Sequence, residues 1–235
     1  MKLIIGIDEV ARGCLAGPVM SAAVVLNPDI LSKWSDINNI SAKVDLKTMS
    51  ATVPRLGCPC YITDSKKMTS SNRQLARKWI IETAALYWSL GESSATEIDT
   101  INIRNATFLA MNRALSAIIP KIQLDYPTAD VEIIVDGNAF ISMPEICIIP
   151  AHYVVKTVIK ADLHVPSVAC ASIVAKETRD EYIDRLAASI PDELDCYGWN
   201  TNRAYGTTDH FRAILLNGIS THHRLTFIGK ILEPS

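Results

Sequence analysis

Apolar residues crowd two short runs near the start of the chain, residues 3–8 and 19–26, both rich in Ile, Val and Leu. A loop containing Gly13, Gly17 and Pro18 separates them, and the pattern predicts two β-strands. From Asn27 to about Cys60 the periodicity dissolves into mixed polar residues with prolines at 28, 54 and 59, which predicts a long surface excursion. Ser71-Asn72-Arg73-Gln74 has the form of a capping box and opens an amphipathic helix that runs to about Leu90, where Gly91 closes it. Residues 93–98 read as a short strand or connector. Helical spacing returns in IDTINIRNATFLAMNRALSAII, and Pro120 is expected to stop that helix. VEIIVDGN reads as a buried strand ending on Asp136-Gly137. The stretch ICIIPAHYVVKTVIKAD supplies two further extended runs, the second ending near Asp162. Helices are expected at about Ser167–Ser189 and at Thr208–Asn217, the latter closed by Gly218.

Strands alternating with helices indicate a three-layer α/β domain built on a mixed sheet. The chain has 235 residues, 49% hydrophobic and 20% charged, enough to bury a sizeable core. The expected division is a main domain over 1–190, with 27–60 as a surface insertion, and a helical appendage over 191–235 packed on the same domain. No apolar run is long enough to span a bilayer, and acids interrupt the N-terminal run too early for a signal peptide. The cytoplasm is the compartment expected, with no membrane association. The six cysteines are scattered, and four of them sit among small or apolar neighbours, as buried free thiols do. Cys58-Pro59-Cys60 is the only close pair, but no second Cys or His pair lies near it in sequence, so reduced thiols are a better reading than zinc.

The net charge of −2 does not advertise a nucleic-acid binder, yet a cluster of acids can mask a locally basic face. Lys66, Lys67, Arg73, Arg77 and Lys78 form one basic group. Arg203, Arg212 and Arg224 with His210, His222 and His223 form another. The sharper signal is acidic. Asp8 and Glu9 stand together at one strand end, Asp136 at a second and Asp162 at a third. Open α/β sheets place their ligands at strand ends. Four converging carboxylates would repel one another and be partly protonated unless cations intervened. Two Mg²⁺ or Mn²⁺ ions about 3.5–4 Å apart resolve that conflict and suit phosphodiester hydrolysis. Arg12 and the glycines beside the first acids offer charge and close backbone approach to a ligand.

Seven ordered blocks resemble type 2 ribonuclease H, the ribonuclease HII family: GIDEVARGCLAGPV (6–19), DSKKM (64–68), INIRNATFLAM (101–111), IVDGN (134–138), IKADLHVPSVACASIVAKETRD (159–180), NRAYGTTDH (202–210) and HHRLTF (222–227). They touch most of the chain outside 27–60. The resemblance implies a ribonuclease H-like three-layer α/β fold, with a mixed central sheet flanked by helices and a small C-terminal helical region. It implies a metal-dependent endoribonuclease acting on RNA/DNA hybrids and on ribonucleotide-containing duplex DNA. Such an enzyme cuts 5′ to the ribonucleotide and leaves 3′-hydroxyl and 5′-phosphate ends. Asp8, Glu9, Asp136 and Asp162 take the places of the family's catalytic metal ligands for two divalent ions, Mg²⁺ or Mn²⁺. Ala11, Arg12 and Gly13 take those of its Gly-Arg-Gly loop, which senses the 2′-hydroxyl through backbone atoms whatever the base. Tyr205 matches the tyrosine that stacks at the RNA–DNA junction. Ser65, Lys66 and Lys67 match phosphate-contacting residues, which position a strand without reading its sequence. Lys176 and Arg179 share a helix face and could meet substrate or neighbouring acids; Arg224 and its two histidines read as closing elements of the fold. A monomer is expected.

Three positions depart from the family pattern: Ala11, Ala161 and Ala204 stand where it has glycine. A methyl matters there only if φ is positive or the backbone touches substrate. At Ala11 either condition would loosen 2′-hydroxyl sensing by roughly 1 kcal/mol. Two alternatives remain: another two-metal nuclease, of resolvase or transposase type, and a catalytically altered or silent hybrid-binding protein of the same fold. The ordered DSKKM and AYGT blocks oppose the first. The second would be marked by loss of an acid, and all four are present.

Overall fold

The structure, a computed structural model, describes residues 1–32, 58–60, 62 and 65–232; most of the 27–60 excursion, and Asp64 of the DSKKM block, lie outside those residues. Five strands form one mixed sheet: β1 (Lys2–Val10), β2 (Val19–Leu26), β3 (Ala85–Ser93), β4 (Asp130–Asp136) and β5 (Val154–Val158), in the order β3-β2-β1-β4-β5. β2 pairs antiparallel with both β1 and β3, whereas β4 is parallel to β1 and β5 parallel to β4.

Side chains of β1 and β2 divide between the two faces of the sheet, as the two-residue period of a strand requires. Leu3, Ile5 and Ile7 with Ala23 and Val25 pack under helix α2 (Ala95–Asp125), against Phe108, Met111, Leu115 and Ile118. Ala22 and Val24 face the opposite way, onto helix α3 (Pro166–Ser189), against Ala171, Ile173 and Val174, with α1 (Ser70–Trp79) on the same side. Helix, sheet and helix make the three layers expected. A third apolar cluster joins Leu15, Ala16 and Ile183 to Tyr197, Trp199 and Ile214 of the C-terminal region, where α4 (Thr208–Asn217) and α5 (Leu225–Leu232) lie.

Several boundaries differ from the sequence expectation. The helix expected to reach Leu90 ends at Trp79, passes through a wide turn at Ile80–Ala84, and gives way to β3. Its cap is Thr69, whose hydroxyl accepts from the Asn72 amide, rather than Ser71. Gly91 is not a helix cap but a mid-strand residue. A Cβ there would fall 2.1 Å from the Ala110 carbonyl oxygen, so glycine lets α2 press against β3. The segment expected as a connector ends β3 at Ser93 and caps α2 at Ser94, with Glu97 completing a capping box.

Pro120 does not stop α2, which continues to Asp125. The lost backbone bond costs about 3 kcal/mol, and burial of Ile118, Ile119 and Ile122 against the sheet outweighs it. The helix instead breaks early, at Asn102 (φ 66°, ψ 160°), whose side-chain oxygen accepts from the Asn105 amide and restarts it. Of the two extended runs expected between 146 and 162, only Val154–Val158 is a strand; the first folds as turns, Cys147 N–H donating to the Met143 carbonyl. Asp162 therefore sits beyond β5, in a short 3₁₀ turn over Ala161–Leu163.

Candidate active site

The register of β1 and β4 does most of the assembly. Ile7 pairs with Val135, so the next residues, Asp8 and Asp136, come side by side where β4 ends and β1 runs on two residues further, to Val10. Asp162 arrives from the other side of β4, carried by β5 and the turn after it. The Ala161 amide donates to Asp136 Oδ1 at 2.7 Å, tying two acid-bearing segments together. Asp8, Glu9, Asp136 and Asp162 all line one cavity of about 290 Å³. Ala11, Arg12, Gly13, Ser65, Lys66 and Tyr205 line it too, so ten of the eleven residues picked from the sequence meet there. Lys67 does not; it is exposed, outside the cavity.

Asp8 is buried, and its carboxyl is held well above the usual range by desolvation, with the charges of Glu9 and then Asp136 adding to the shift. A hydrogen bond from Ser172 and one from the Glu9 amide (2.7 Å) work the other way. Burial also raises Glu9, offset in part by Arg12, whose Nη1 lies 3.3 Å from Glu9 Oε1. Among the described residues, no three His, Cys, Asp or Glu side chains are drawn together tightly enough to hold an ion as they stand. The donors are nonetheless all hard oxygens, and Asp8 is desolvated beside two further carboxylates, of which Glu9 is paired with Arg12. That excess of negative charge, in a cavity lined by four acids, fits divalent cations of the Mg²⁺ and Mn²⁺ kind.

The loop at 11–17 is held from behind by two buried arginines. Arg224 donates to the carbonyls of Gly17 (2.9 Å), Ala11 (2.8 Å) and Arg12 (3.2 Å), while Arg179 donates to those of Ala16 (2.9 Å) and Pro18 (3.3 Å). Arg179 is thus a fold-building residue and does not line the cavity. Ala11 adopts φ 70° and Ala204 φ 62°, both left-handed, whereas Ala161 does not, its neighbour Lys160 taking the turn at φ 58°. Two of the three alanines therefore occupy backbone that favours glycine. Gly13 is exposed, and a Cβ there would meet nothing within 4 Å. No contact with the described part of the chain demands a glycine at 13, which leaves its open face for a ligand.

Tyr205 is set by the C-terminal region. It bridges to Cys14, and Leu15 N–H donates to the Ala204 carbonyl at 2.8 Å. Tyr205 is 37% exposed and lines the cavity, with Lys176 Nζ 5.5 Å from its ring centre, and burial pushes the phenol up to about 12. Behind it runs a buried chain of rings. His210 Nδ1 meets the Tyr205 carbonyl at 2.9 Å, and its Nε2 accepts from Trp199 Nε1 (3.0 Å) and lies 3.1 Å from His223 Nε2. The Ser220 amide donates to His223 Nδ1 at 2.9 Å. These contacts fit neutral imidazoles, His210 protonated on Nδ1 and His223 on Nε2. Burial lowers both, His223 to about 4.

Sequence reading missed Ser172 and left Lys176 open. Ser172 joins two parts of the site, bonding Asp8 and meeting the Ser65 hydroxyl at 3.0 Å. Lys176 pairs with Asp180 at 2.8 Å and still lines the cavity. Their spacing of four puts them on one face of α3, which was the available signal once Lys176 was singled out.

The family profile described as ribonuclease HII matches residues 55–230. A ribonuclease HII of Pelagibacter ubique is 36% identical over 227 residues, covering 97% of this chain and 96% of the relative. Among solved structures, the ribonuclease H2 of Pyrococcus horikoshii aligns with a TM-score of 0.63 at 20% identity, covering 97% of this chain and 96% of that one. A Bst ribonuclease HIII in complex with Mn²⁺ aligns with a TM-score of 0.63 at 20% identity, covering 98% of this chain and 69% of that one. The structures share the fold; the full-length relative, at its higher identity, carries the family.

Proposed function

The chain belongs to the ribonuclease HII family, and from that premise we propose that it hydrolyses the RNA strand of RNA/DNA hybrids and cuts duplex DNA on the 5′ side of an embedded ribonucleotide. The products would carry 3′-hydroxyl and 5′-phosphate ends. Residues 1–190 act as the catalytic domain, 191–235 as an appendage serving the same site, in a monomer at work in the cytoplasm on ribonucleotide removal and replication. The observation that carries the reading is the meeting of four carboxylates, from three chain segments, with the Ala11–Gly13 loop and Tyr205 around one cavity.

Asp8, Glu9, Asp136 and Asp162 would hold two divalent ions, Mg²⁺ or Mn²⁺, which when bound supply an activated water and neutralise charge on the phosphate. The chain's own residues orient the substrate. The open backbone at Gly13 gives the 2′-hydroxyl a place to bond to amide and carbonyl groups, which identify the sugar without reading the base. Arg224 holds the carbonyls of the preceding Ala11 and Arg12, so the loop carrying Gly13 is set before substrate arrives. Tyr205 offers a ring face to the deoxyribose that follows the ribonucleotide, and its raised phenol stays protonated at neutral pH. Lys66 and Lys176 supply positive charge at the rim for phosphates.

Asp136→Asn tests the reading. Cleavage should be abolished in Mg²⁺ and in Mn²⁺ while hybrid binding, followed by fluorescence anisotropy, stays measurable. Retained cleavage would remove Asp136 from the centre. Tyr205→Ala should impair cutting at a single ribonucleotide more than cutting of a long hybrid, and equal losses would remove its junction role.

A further inference from the structure

A second cavity, of about 330 Å³, adjoins the first and shares Glu9, Arg12 and Asp136 with it. Tyr205, Lys66 and Lys176 line only the first, so the second lies across the acids from the junction tyrosine. Its floor is apolar and buried, made by Phe108 and Met111. Arg104 and Asn138 stand at its exposed margin. Arg104 owes its place to the break in α2: Asn102 restarts the helix, and Arg104 falls in the first turn, its guanidinium 5.7 Å from the centre of the Phe108 ring. Among the described residues no carboxylate lies within ion-pair distance of Arg104, whereas Arg12 is paired to Glu9.

An exposed cation without a carboxylate partner among the described residues, held over an apolar floor beside Glu9 and Asp136, is available to an anion. The acids give the cavity no use for an anion unless their own charge is compensated, which is the condition under which substrate binds. We propose that this cavity is a phosphate subsite, in which Arg104 contacts a backbone phosphate of the cleaved strand upstream, on the 5′ side, of the scissile bond. The direction follows from Tyr205, which faces the nucleotide after the ribonucleotide from the opposite side of the acids. Asn138 adds an amide donor at the same rim. Arg104 is a binding and positioning residue here, not one that touches the reacting atoms, and its role rests on the hydrolytic reading above.

The test measures steady-state cleavage of a duplex carrying one ribonucleotide by the wild type, Arg104→Ala and Arg104→Gln, with Lys121→Ala as an exposed control outside either cavity. Both Arg104 variants should raise KM roughly tenfold with little change in kcat, as loss of a charge-assisted contact does. The dependence of log KM on log salt should weaken by about 0.9, the change expected for one phosphate contact. Replacing upstream phosphates one at a time by neutral methylphosphonate should raise the wild-type KM at one position, and that penalty should vanish in Arg104→Ala. An unchanged KM and salt slope in both variants would overturn the proposal. So would a penalty that persists in Arg104→Ala, one that falls only downstream of the ribonucleotide, or a fall in kcat with KM unchanged. Failure of the wild type to cleave would instead overturn the hydrolytic reading itself, so the two failures are distinguishable.

Discussion

Three alanines occupy places where the resembling family has glycine, and the backbone divides them. Ala11 and Ala204 are left-handed at φ 70° and φ 62°, whereas Ala161 is not. All three are buried, at 4%, 0% and 0% exposure, so the packing lost on truncation to glycine is similar. Removing the buried methyl costs about 0.8 kcal/mol, and the freer unfolded chain of glycine costs about 0.4–1 kcal/mol more. At Ala161 nothing offsets those terms, so Ala161→Gly should lose about 1–2 kcal/mol. At Ala11 the same substitution also releases left-handed strain of about 1–2 kcal/mol, so Ala11→Gly should be close to neutral. For a chain of this length the two variants should differ in thermal midpoint by about 2–8 °C, Ala204→Gly behaving like Ala11→Gly. Differential scanning calorimetry on the three single variants is sufficient. If Ala11→Gly loses as much as Ala161→Gly, the strain argument fails. A relaxed position 11 should also raise kcat/KM for the duplex carrying one ribonucleotide, because the loop is then held without a conformational penalty.

Two further outcomes follow from the packing and the buried rings. Gly91→Ala should destabilise the protein by about 1–3 kcal/mol, because the added Cβ would lie 2.1 Å from the Ala110 carbonyl oxygen; an unchanged urea midpoint would contradict the close approach of α2 to β3. His223 has a folded pKa depressed to about 4 from an unfolded value near 6.5, so its neutral form stabilises the fold above pH 6.5 and that contribution is lost as pH falls toward 4. The difference in unfolding free energy between the wild type and His223→Gln should therefore shrink by on the order of 3 kcal/mol from pH 7 to pH 4, and a difference independent of pH would refute the neutral-imidazole assignment.

Much of the fold was legible because strand pairing left strong marks. The apolar runs of β1 and β4 led into acids, and the 2-residue alternation placed the side chains of β1 and β2 on two faces. The misread parts share a cause: tertiary contact overrode local propensity. ALYWSLGES carries both helical and extended signals, and only its pairing along β2, from Val19 with Ser93 to Leu26 with Ala85, decides for a strand. Pro120 is a strong local stop that the isoleucines around it override. The break at Asn102 left a signal too ordinary to notice, since asparagine is tolerated inside and outside helices. At the site, carboxylates at strand ends were readable because strand ends are where ligands gather. Ser172 was not, because a serine on an apolar helix face looks like any other small core residue until Asp8 and Ser65 are placed beside it. The sign of φ at Ala11 was likewise beyond reach of residue identity, which argued against a left-handed conformation there.

The central claim is that four acids, a backbone sensor and a junction tyrosine make a ribonucleotide-directed nuclease. Its most direct test is incubation of the wild-type protein with Mg²⁺ or Mn²⁺ and a labelled duplex containing one ribonucleotide, with the cut mapped at single-nucleotide resolution. The account predicts one incision on the 5′ side of the ribonucleotide, leaving a 3′-hydroxyl and a 5′-phosphate, and no cut in the all-DNA duplex. Absence of incision by folded protein in either metal, or an incision elsewhere, would contradict it.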